Sequence, residues 1–114
     1  MPAPRERSLD QTLIALADPT RREILRRLAR GEARVTDLAA PFPVALNTVS
    51  KHIKVLERAA LVARRKAGRE YILTFRPKPL GEIERWIEKQ KAFWSASLSA
   101  IDDMLRKEDR ENRR

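Results

Sequence analysis

One stretch, from Asn47 to Arg69, constrains the fold of this chain more than any other, because it combines strong positive charge with a regular apolar pattern. It contains seven Lys or Arg side chains and one acid, Glu57, whereas all 114 residues together carry a net charge of +9. About two thirds of the excess charge therefore lies on about a fifth of the chain. A stable fold must bury the apolar side chains of this stretch and leave its cations in water.

The first half of the stretch has the pattern of an amphipathic helix. Its apolar residues recur at spacings of four, three and four, which is one face of a 3.6-residue period. These residues are Val49, Ile53, Leu56 and Ala60. A polar stripe with the same spacing starts two positions earlier and lies on the opposite side of the helix. It consists of Asn47, Lys51, Lys54 and Arg58, flanked by Thr48, Ser50 and His52.

Beyond Leu61 the pattern becomes that of two strands. The segments LVARRKA and REYILTF have strand-like composition, and Gly68 lies between them as the turn residue. The tip of this hairpin would carry four cations, Arg64, Arg65, Lys66 and Arg69. A helix and a hairpin that share one basic face suit a polyanion, and most economically double-stranded DNA.

Three further helices are predicted before this stretch. Ser8 and Gln11 have the spacing of a capping box that opens the first helix. Asp18-Pro19 ends that helix and caps the second, which runs to Gly31. A third, short helix is expected to begin with Thr36 as its cap. Followed by the basic helix, it predicts a helix-turn-helix.

A long last helix follows the hairpin. At 1.5 Å per residue it would span ~40 Å, more than so small a domain can cover, so its apolar face should pair with a second copy about a two-fold axis. Core or dimer packing also explains its aromatic residues better than an effector pocket does. The first helix could join this interface. The predicted interface consists of Leu9, Leu13, Ile83, Trp86, Ile87, Trp94, Leu98, Ile101 and Leu105.

We therefore predict a single domain over residues 1–114, mainly α-helical with a small β-hairpin. Its chain order is four helices, two strands and a fifth helix. The parts are helices 1 and 2 (8–30), the helix-turn-helix (36–59), the wing (61–76), the dimerisation helix (79–106) and a flexible tail (107–114).

Several functions lack the residues that they require. The chain has no cysteine, which excludes disulfides and thiolate metal ligands. His52 is the only histidine, and it has no companion in a recognisable catalytic motif. We find no phosphate-binding glycine loop and no metal cluster. We therefore predict neither an enzyme nor a cofactor.

The sequence also lacks the signals of a membrane or secreted protein. No run approaches the ~18 apolar residues of a membrane span, and the first residues lack a secretory apolar region. With 36% charged and 42% hydrophobic residues, the composition is that of a folded globular chain. We expect a cytoplasmic protein without a membrane partner.

From about Leu9 to Leu105, the chain resembles the ArsR-type winged helix-turn-helix repressors. Four segments in the expected order carry the resemblance. They read ADPTRREILRRL (17–28), VTDLA (35–39), TVSKHIKVLERAALV (48–62) and GREY (68–71). The resemblance implies a prokaryotic, cytoplasmic, homodimeric transcription factor. Its recognition helix would enter the major groove, its wing would touch the DNA backbone or minor groove, and its terminal helices would form the dimer.

The departures from the family pattern bear on the signal that is sensed. Metal-sensing members carry Cys-Val-Cys-Asp-Leu where this chain has Arg34-Val35-Thr36-Asp37-Leu38, so both thiolate positions are absent. The last helix has no histidine, which another metal site of the family requires. The chain is similar to a non-metal-sensing subgroup with an aromatic-rich last helix, and its small-molecule effector is unknown. The family's usual glycine before the first wing strand is Ala60 here.

We predict a sequence-specific repressor that binds an inverted-repeat operator. Asn47 and Lys51 are the best candidates for reading bases, since Asn can pair with adenine and Lys with guanine. The full predicted DNA-binding set is Asn47, Thr48, Ser50, Lys51, His52, Lys54, Arg58, Arg64, Arg65, Lys66 and Arg69. Two alternatives are a nonspecific nucleic-acid-binding protein and a protein-interaction module that uses the long last helix.

Overall fold

The helices and strands follow the apolar patterns of the sequence closely. A computed structural model describes residues 4–113, with side chains described from Ser8 onward. The elements in chain order are α1 (Pro4–Leu16), α2 (Pro19–Ala29), β1 (Ala33–Arg34), α3 (Val35–Ala39), α4 (Leu46–Arg58), β2 (Val62–Ala67), β3 (Glu70–Phe75) and α5 (Lys78–Asn112). The three strands form an antiparallel sheet in the order β1-β3-β2. The predicted fold class, mainly helical with a small hairpin in a winged helix-turn-helix order, is confirmed.

The short strand β1 was not predicted from the sequence. It pairs with β3 through Ala33 opposite Leu73 and Arg34 opposite Ile72. Two residues are too few to show an alternating pattern, because a period of two needs at least four positions to be recognised. The strand forms because the edge of β3 is free to pair with it. This is a tertiary contact, so the local sequence does not indicate it.

The chain divides by its internal contacts into two units, one up to Ile83 and one from Glu84 onward. The core of the first unit is built by α1 to α4 and the three strands. Its buried cluster consists of Ala15, Ile24, Leu25, Leu28, Ala33, Leu38, Val49, Ile53, Leu56, Ala59, Leu61, Val62 and Leu73. Because such a division does not test independent folding, the single domain over residues 1–114 stays a prediction.

The first helix, α1, and the last helix, α5, both extend beyond their predicted bounds. Because α1 begins at Pro4, Ser8 lies inside the helix and the predicted capping box is wrong; proline is well tolerated in a first turn. At the other end, α5 continues to Asn112, so the predicted end at residue 106 is also wrong. Ion pairs one turn apart support this extension, with Asp102 to Arg106 at 3.1 Å and Asp109 to Arg113 at 3.4 Å. Flexibility of the tail stays a prediction.

The N-cap of α3 lies two residues before Thr36. The prediction that Thr36 is the cap is therefore wrong. The first helical residue is Val35, and the preceding Arg34 is the N-cap, without a capping hydrogen bond from its side chain. Arg34 instead forms ion pairs with Asp37 at 3.0 Å and Glu70 at 3.2 Å. These hydrogen bonds to carboxylates raise the pKa of the Arg34 guanidinium. The ion pair between Arg34 and Glu70 therefore links the start of α3 to β3.

The predicted cap of α2 is confirmed. The Asp18 carboxylate accepts hydrogen bonds from the backbone N–H groups of Thr20 (2.8 Å) and Arg21 (3.1 Å), and Pro19 occupies the first helical position. Partial burial would raise the pKa of Asp18, but these N–H donors and the nearby His52 outweigh it, so the pKa lies below its ordinary value. The cap thus stabilises the charged form of Asp18.

The corner between α4 and β2 is a Schellman motif. The N–H of Leu61 donates to the Leu56 carbonyl at 3.1 Å, and the N–H of Ala60 donates to the Glu57 carbonyl at 3.0 Å. Ala60 adopts a φ of +58°, and it is the one non-glycine residue with a positive φ among those that the structure describes. This left-handed conformation is costly for any residue with a Cβ atom. Ala60 therefore lies beyond α4 and is exposed, so its predicted place in the buried stripe is wrong; Ala59 is buried there instead.

We expect Asp18→Ala to lower the free energy of unfolding by about 1 kcal/mol, because the N-cap acceptor is lost. The matched control, Asp18→Asn, keeps a side-chain acceptor, so its free energy of unfolding should fall by only a few tenths of that amount. Because the folded-state pKa is depressed, the extra stability of the parent protein over the Asp18→Asn variant is present above the ordinary pKa of 3.8. It should disappear as the pH falls through the lower folded-state pKa. Urea denaturation at pH 7 and at pH 3 checks both points, and an alanine variant as stable as the parent would contradict the cap.

We expect Ala60→Gly to raise the free energy of unfolding by about 0.5–1 kcal/mol, because relief of left-handed strain exceeds the added chain entropy of glycine. The matched control is Ala40→Gly, since Ala40 is exposed with an ordinary helical φ of −53°. That change should destabilise the protein instead. Thermal and urea unfolding distinguish the two, and a loss of stability in Ala60→Gly would show that the corner is not strained.

Candidate nucleic-acid interface

The α4 helix has an exposed cationic stripe because its opposite face is completely buried in the core. Val49, Ile53 and Leu56 have no exposed surface. The opposite stripe is exposed, as the sequence predicted. It consists of Asn47, Lys51, Lys54 and Arg58, with Thr48 exposed and Ser50 half-buried at its flanks.

The helix begins at Leu46 without a side-chain cap. Its N-cap is Ala45, whose backbone carbonyl accepts from the N–H groups of Thr48 (3.0 Å) and Val49 (3.3 Å). The first turn therefore lacks the side-chain acceptor that Ser, Thr, Asp or Asn would supply. Asn47 and Thr48 lie in this exposed first turn.

His52 is turned away from the stripe, towards α1 and α2. Its Nδ1 atom lies 3.2 Å from Nη1 of Arg21, and 3.9 Å from an Asp18 oxygen. The same guanidinium donates to the carbonyls of Ala15 (2.8 Å) and Ile14 (2.9 Å). Because the Arg21 guanidinium can only donate, Nδ1 of His52 is the acceptor side of this contact. The structure thus places His52 in the packing of three elements, apart from the other predicted DNA-binding residues.

The wing is the hairpin of β2 and β3, closed by a two-residue turn. The last strand pair is Ala67 opposite Glu70, so Gly68 and Arg69 form the turn. Gly68 has a φ of +66°, which glycine adopts without strain. The predicted turn residue is therefore confirmed, and Arg69 lies at the tip.

Two of the four predicted wing cations are already paired with carboxylates. Arg64 binds Glu57 of α4 at 2.7 Å and lies over the Tyr71 ring, 5.0 Å from its centroid. Arg65 binds Glu32 at 2.9 Å. Neither partner was predicted, because Glu32 is distant in sequence and Glu57 is on another element.

Five cations of the stretch have no carboxylate partner among the side chains described, from Ser8 to Arg113. We call these residues the open cations. They are Lys51, Lys54 and Arg58 of α4 and Lys66 and Arg69 of the wing. An exposed cation without an internal partner is available to an anion of another molecule.

The predicted interface residues outside this surface differ in exposure. Ile83 is only 8% exposed in the single chain, so it belongs to the chain's own core and has little surface left for a subunit contact. Leu9 is half-buried and Leu13 is 40% exposed. The other predicted interface residues are large apolar side chains that remain 40–61% exposed: Trp86, Ile87, Trp94, Leu98, Ile101 and Leu105.

Two further properties describe residues 4–113. Among the side chains described, from Ser8 to Arg113, no three His, Asp or Glu come together as the ligands of a metal ion would. No helix in the same range combines the length and apolar character needed to cross a membrane.

Comparison with known proteins gives one consistent result. Residues 16–65 match a family model described as a helix-turn-helix domain. The transcriptional regulator Rv2034 of Mycobacterium tuberculosis is 37% identical over 99 residues, which cover 87% of this chain and 90% of that protein. The crystal structure of the ArsR family transcriptional regulator RHA00566 has 39% identity and a TM-score of 0.75, covering 79% of this chain and 93% of its own. This chain belongs to the ArsR family of transcriptional regulators.

Other members of the ArsR family agree with this assignment. An ArsR-like regulator from Rhodococcus sp. RHA1 has 32% identity and a TM-score of 0.77, covering 87% of this chain and 93% of its own. A homolog of the transcriptional repressor SmtB from Synechocystis is 40% identical over 72 residues, 58% of this chain and 54% of that protein. The predicted family is confirmed, and these relatives are regulators, not enzymes. Membership of a non-metal-sensing subgroup stays a prediction.

Proposed function

We propose that this protein is a dimeric, sequence-specific DNA-binding repressor that acts in the cytoplasm on an inverted-repeat operator. The observation that carries the proposal is the exposed cationic stripe of α4, opposite a fully buried face, in a chain of the ArsR family. An amphipathic helix of this kind fits the major groove, which is wide enough to admit an α-helix.

Within the proposed site, the open cations and Asn47 have different roles. Asn47 and Lys51 lie in the N-terminal half of α4, the part of a recognition helix that reaches base edges. Asn can pair bidentately with adenine, and Lys can donate to guanine. Lys54, Arg58, Lys66 and Arg69 bind phosphates and set the position of the protein on the duplex.

The second unit supports dimerisation. Leu98, Ile101 and Leu105 recur at helical spacing and are 52–61% exposed. Trp94 continues this stripe and makes an edge-to-face contact with Phe93, with ring centroids 5.9 Å apart. Burying a side chain of this size contributes about 1.5–3 kcal/mol, so packing of this stripe against a second copy of the helix is favourable. A two-fold dimer would present two α4 helices one DNA turn apart, about 34 Å.

Recognition of single strands is less well supported than recognition of the duplex. Single-strand binders stack bases on exposed aromatic rings. Of the two aromatic residues of the wing, Phe75 packs against the core, and one face of the Tyr71 ring already lies under the Arg64 guanidinium. The open cations can still bind phosphates, which both duplex and single strands offer.

We expect Lys51→Ala to cost about 1–3 kcal/mol of operator binding and to reduce discrimination against scrambled duplex, because a base contact is lost. Lys66→Ala should weaken operator and scrambled duplex alike and make the salt dependence shallower by about one unit. Fluorescence anisotropy in a salt series measures both, with an operator first located by footprinting upstream of the protein's own gene.

The matched control for these variants is Lys89→Ala, which removes an equal charge from an exposed position of α5. It should leave both affinity and salt dependence unchanged. Equal affinity of the parent protein for operator and scrambled duplex would overturn sequence-specific binding. The reverse pattern in Lys51→Ala and Lys66→Ala would overturn the assigned roles.

We expect Leu98→Glu to weaken self-association by at least ~100-fold, because a charge would be buried in an apolar contact. Ala96→Glu adds the same charge at an exposed position on the opposite side of α5 and should remain dimeric. Sedimentation equilibrium measures both variants. A parent protein that stays monomeric at micromolar concentration would rule out the proposed dimer.

A further inference from the structure

We infer that Arg64 is a positioning residue, which holds the wing against α4 and does not itself bind DNA. This inference rests on the proposed function, and it departs from the predicted DNA-binding set, which includes all four wing cations. It follows from two contacts that hold the same guanidinium on two sides.

The first contact joins the wing to the recognition helix. Nη2 of Arg64 donates to Oε1 of Glu57 at 2.7 Å, and the two side chains are only 30% and 28% exposed. Glu57 lies in the last turn of α4, one residue before the helix ends at Arg58. A charge-assisted hydrogen bond this short and this well shielded is stronger than an ordinary surface pair.

The second contact joins Arg64 to the other strand of the wing. Its guanidinium carbon lies 5.0 Å from the centroid of the Tyr71 ring, within the range of a cation–π interaction. In the strand register, Arg64 is opposite Leu73 and Lys66 is opposite Tyr71, so all four residues share one face of the hairpin. Arg64 therefore links β2, β3 and α4 at a single point.

Arg65 provides a natural comparison within the same strand. Its pair with Glu32 has a similar length, 2.9 Å, but the two side chains are 54% and 51% exposed, and none of the described aromatic rings lies over the Arg65 guanidinium. Pairs this exposed contribute little and are screened by salt. Arg65 can exchange Glu32 for a phosphate at little cost, whereas Arg64 would lose two shielded contacts.

The position of the wing matters because two of the five open cations, Lys66 and Arg69, lie towards its tip. Lys66 and Arg69 must reach phosphates while α4 occupies the major groove, so the wing must keep a fixed distance from the helix. Beyond its short pairing with β1, the hairpin continues as a two-stranded ribbon, which twists strongly and is only marginally stable by itself. The pair of Arg64 with Glu57 adds a direct link from this ribbon to α4, close to the corner at Ala60.

Glu57→Gln tests this inference, because the two possible roles of Arg64 predict opposite signs. Removing a negative charge beside a DNA-binding surface should strengthen binding if charge alone matters. If Glu57 positions the wing through Arg64, operator affinity should fall about tenfold with an unchanged salt slope. Glu32→Gln is the matched control, since it makes the same change at the exposed pair, and its operator affinity should be unchanged or slightly higher.

Substitutions of Arg64 complete the test. Arg64→Ala should also weaken operator binding about tenfold, and adding Glu57→Gln should cost nothing more, since both changes break one contact. Arg64→Lys should recover part of the loss, because it keeps the charge but not the planar group. A salt slope shallower by about one unit in Arg64→Ala, together with tighter binding by Glu57→Gln, would identify Arg64 as a phosphate contact and overturn the inference.

Hydrogen exchange of the free protein separates this inference from the proposed function. Glu57→Gln and Arg64→Ala should speed exchange of the amides in β2 and β3 while α2 stays protected, and Glu32→Gln should not. If the parent protein does not prefer an operator, the proposed function fails, yet faster wing exchange would still establish the link to α4. Unchanged wing exchange in both variants would overturn the positioning role, whatever the DNA measurements give.

Discussion

The burial of three α4 side chains is the constraint on which the rest of the structure depends. Val49, Ile53 and Leu56 are completely buried, and each contributes about 1.5–3 kcal/mol by leaving water. Turning α4 by half a rotation would expose them and force Lys51 and Arg58 into the core. The combined cost would be comparable with the whole stability of a typical domain, about 5–15 kcal/mol. The outward direction of the cations is thus a consequence of core packing.

The same helix also determines where the wing begins. Its C-terminal end closes in a Schellman motif at the left-handed Ala60, after which the chain enters β2 directly. Leu61, the first residue past this corner, is fully buried and anchors the start of the hairpin in the core. The helix end and the strand start therefore share one anchoring point, which connects the two parts of the proposed recognition surface, α4 and the wing. Few degrees of freedom remain between them apart from the bending of the hairpin itself.

Most parts of this fold that depend on spacing along one element could be predicted, although the caps expected at Ser8 and Thr36 and the burial expected of Ala60 were wrong. The parts that depend on distant contacts could not be predicted. The α4 stripes and the Asp18 cap follow from local spacing and chemistry, so the sequence alone indicated them. The carboxylate of Glu32 meets Arg65 across 33 residues, and Arg21 meets His52 across 31, so no local pattern indicates either pair. The sequence therefore located the basic surface but not the carboxylates that pair with two of its cations. The strand β1 was missed for the same reason, since it exists only beside β3.

Internal pairing of Arg64 and Arg65 has a consequence for how the protein would find its target on a chromosome. Only five of the seven cations in the stretch from Asn47 to Arg69 are without a carboxylate among the described side chains. Affinity for arbitrary duplex grows steeply with each phosphate neutralised, because each one releases bound counterions. A protomer whose Arg64 is held by Glu57, and whose Arg65 must first leave Glu32, dwells more briefly at each wrong site, and so it scans more of the genome in a given time. Moderate attraction to all DNA is then what allows the correct sequence to stand out.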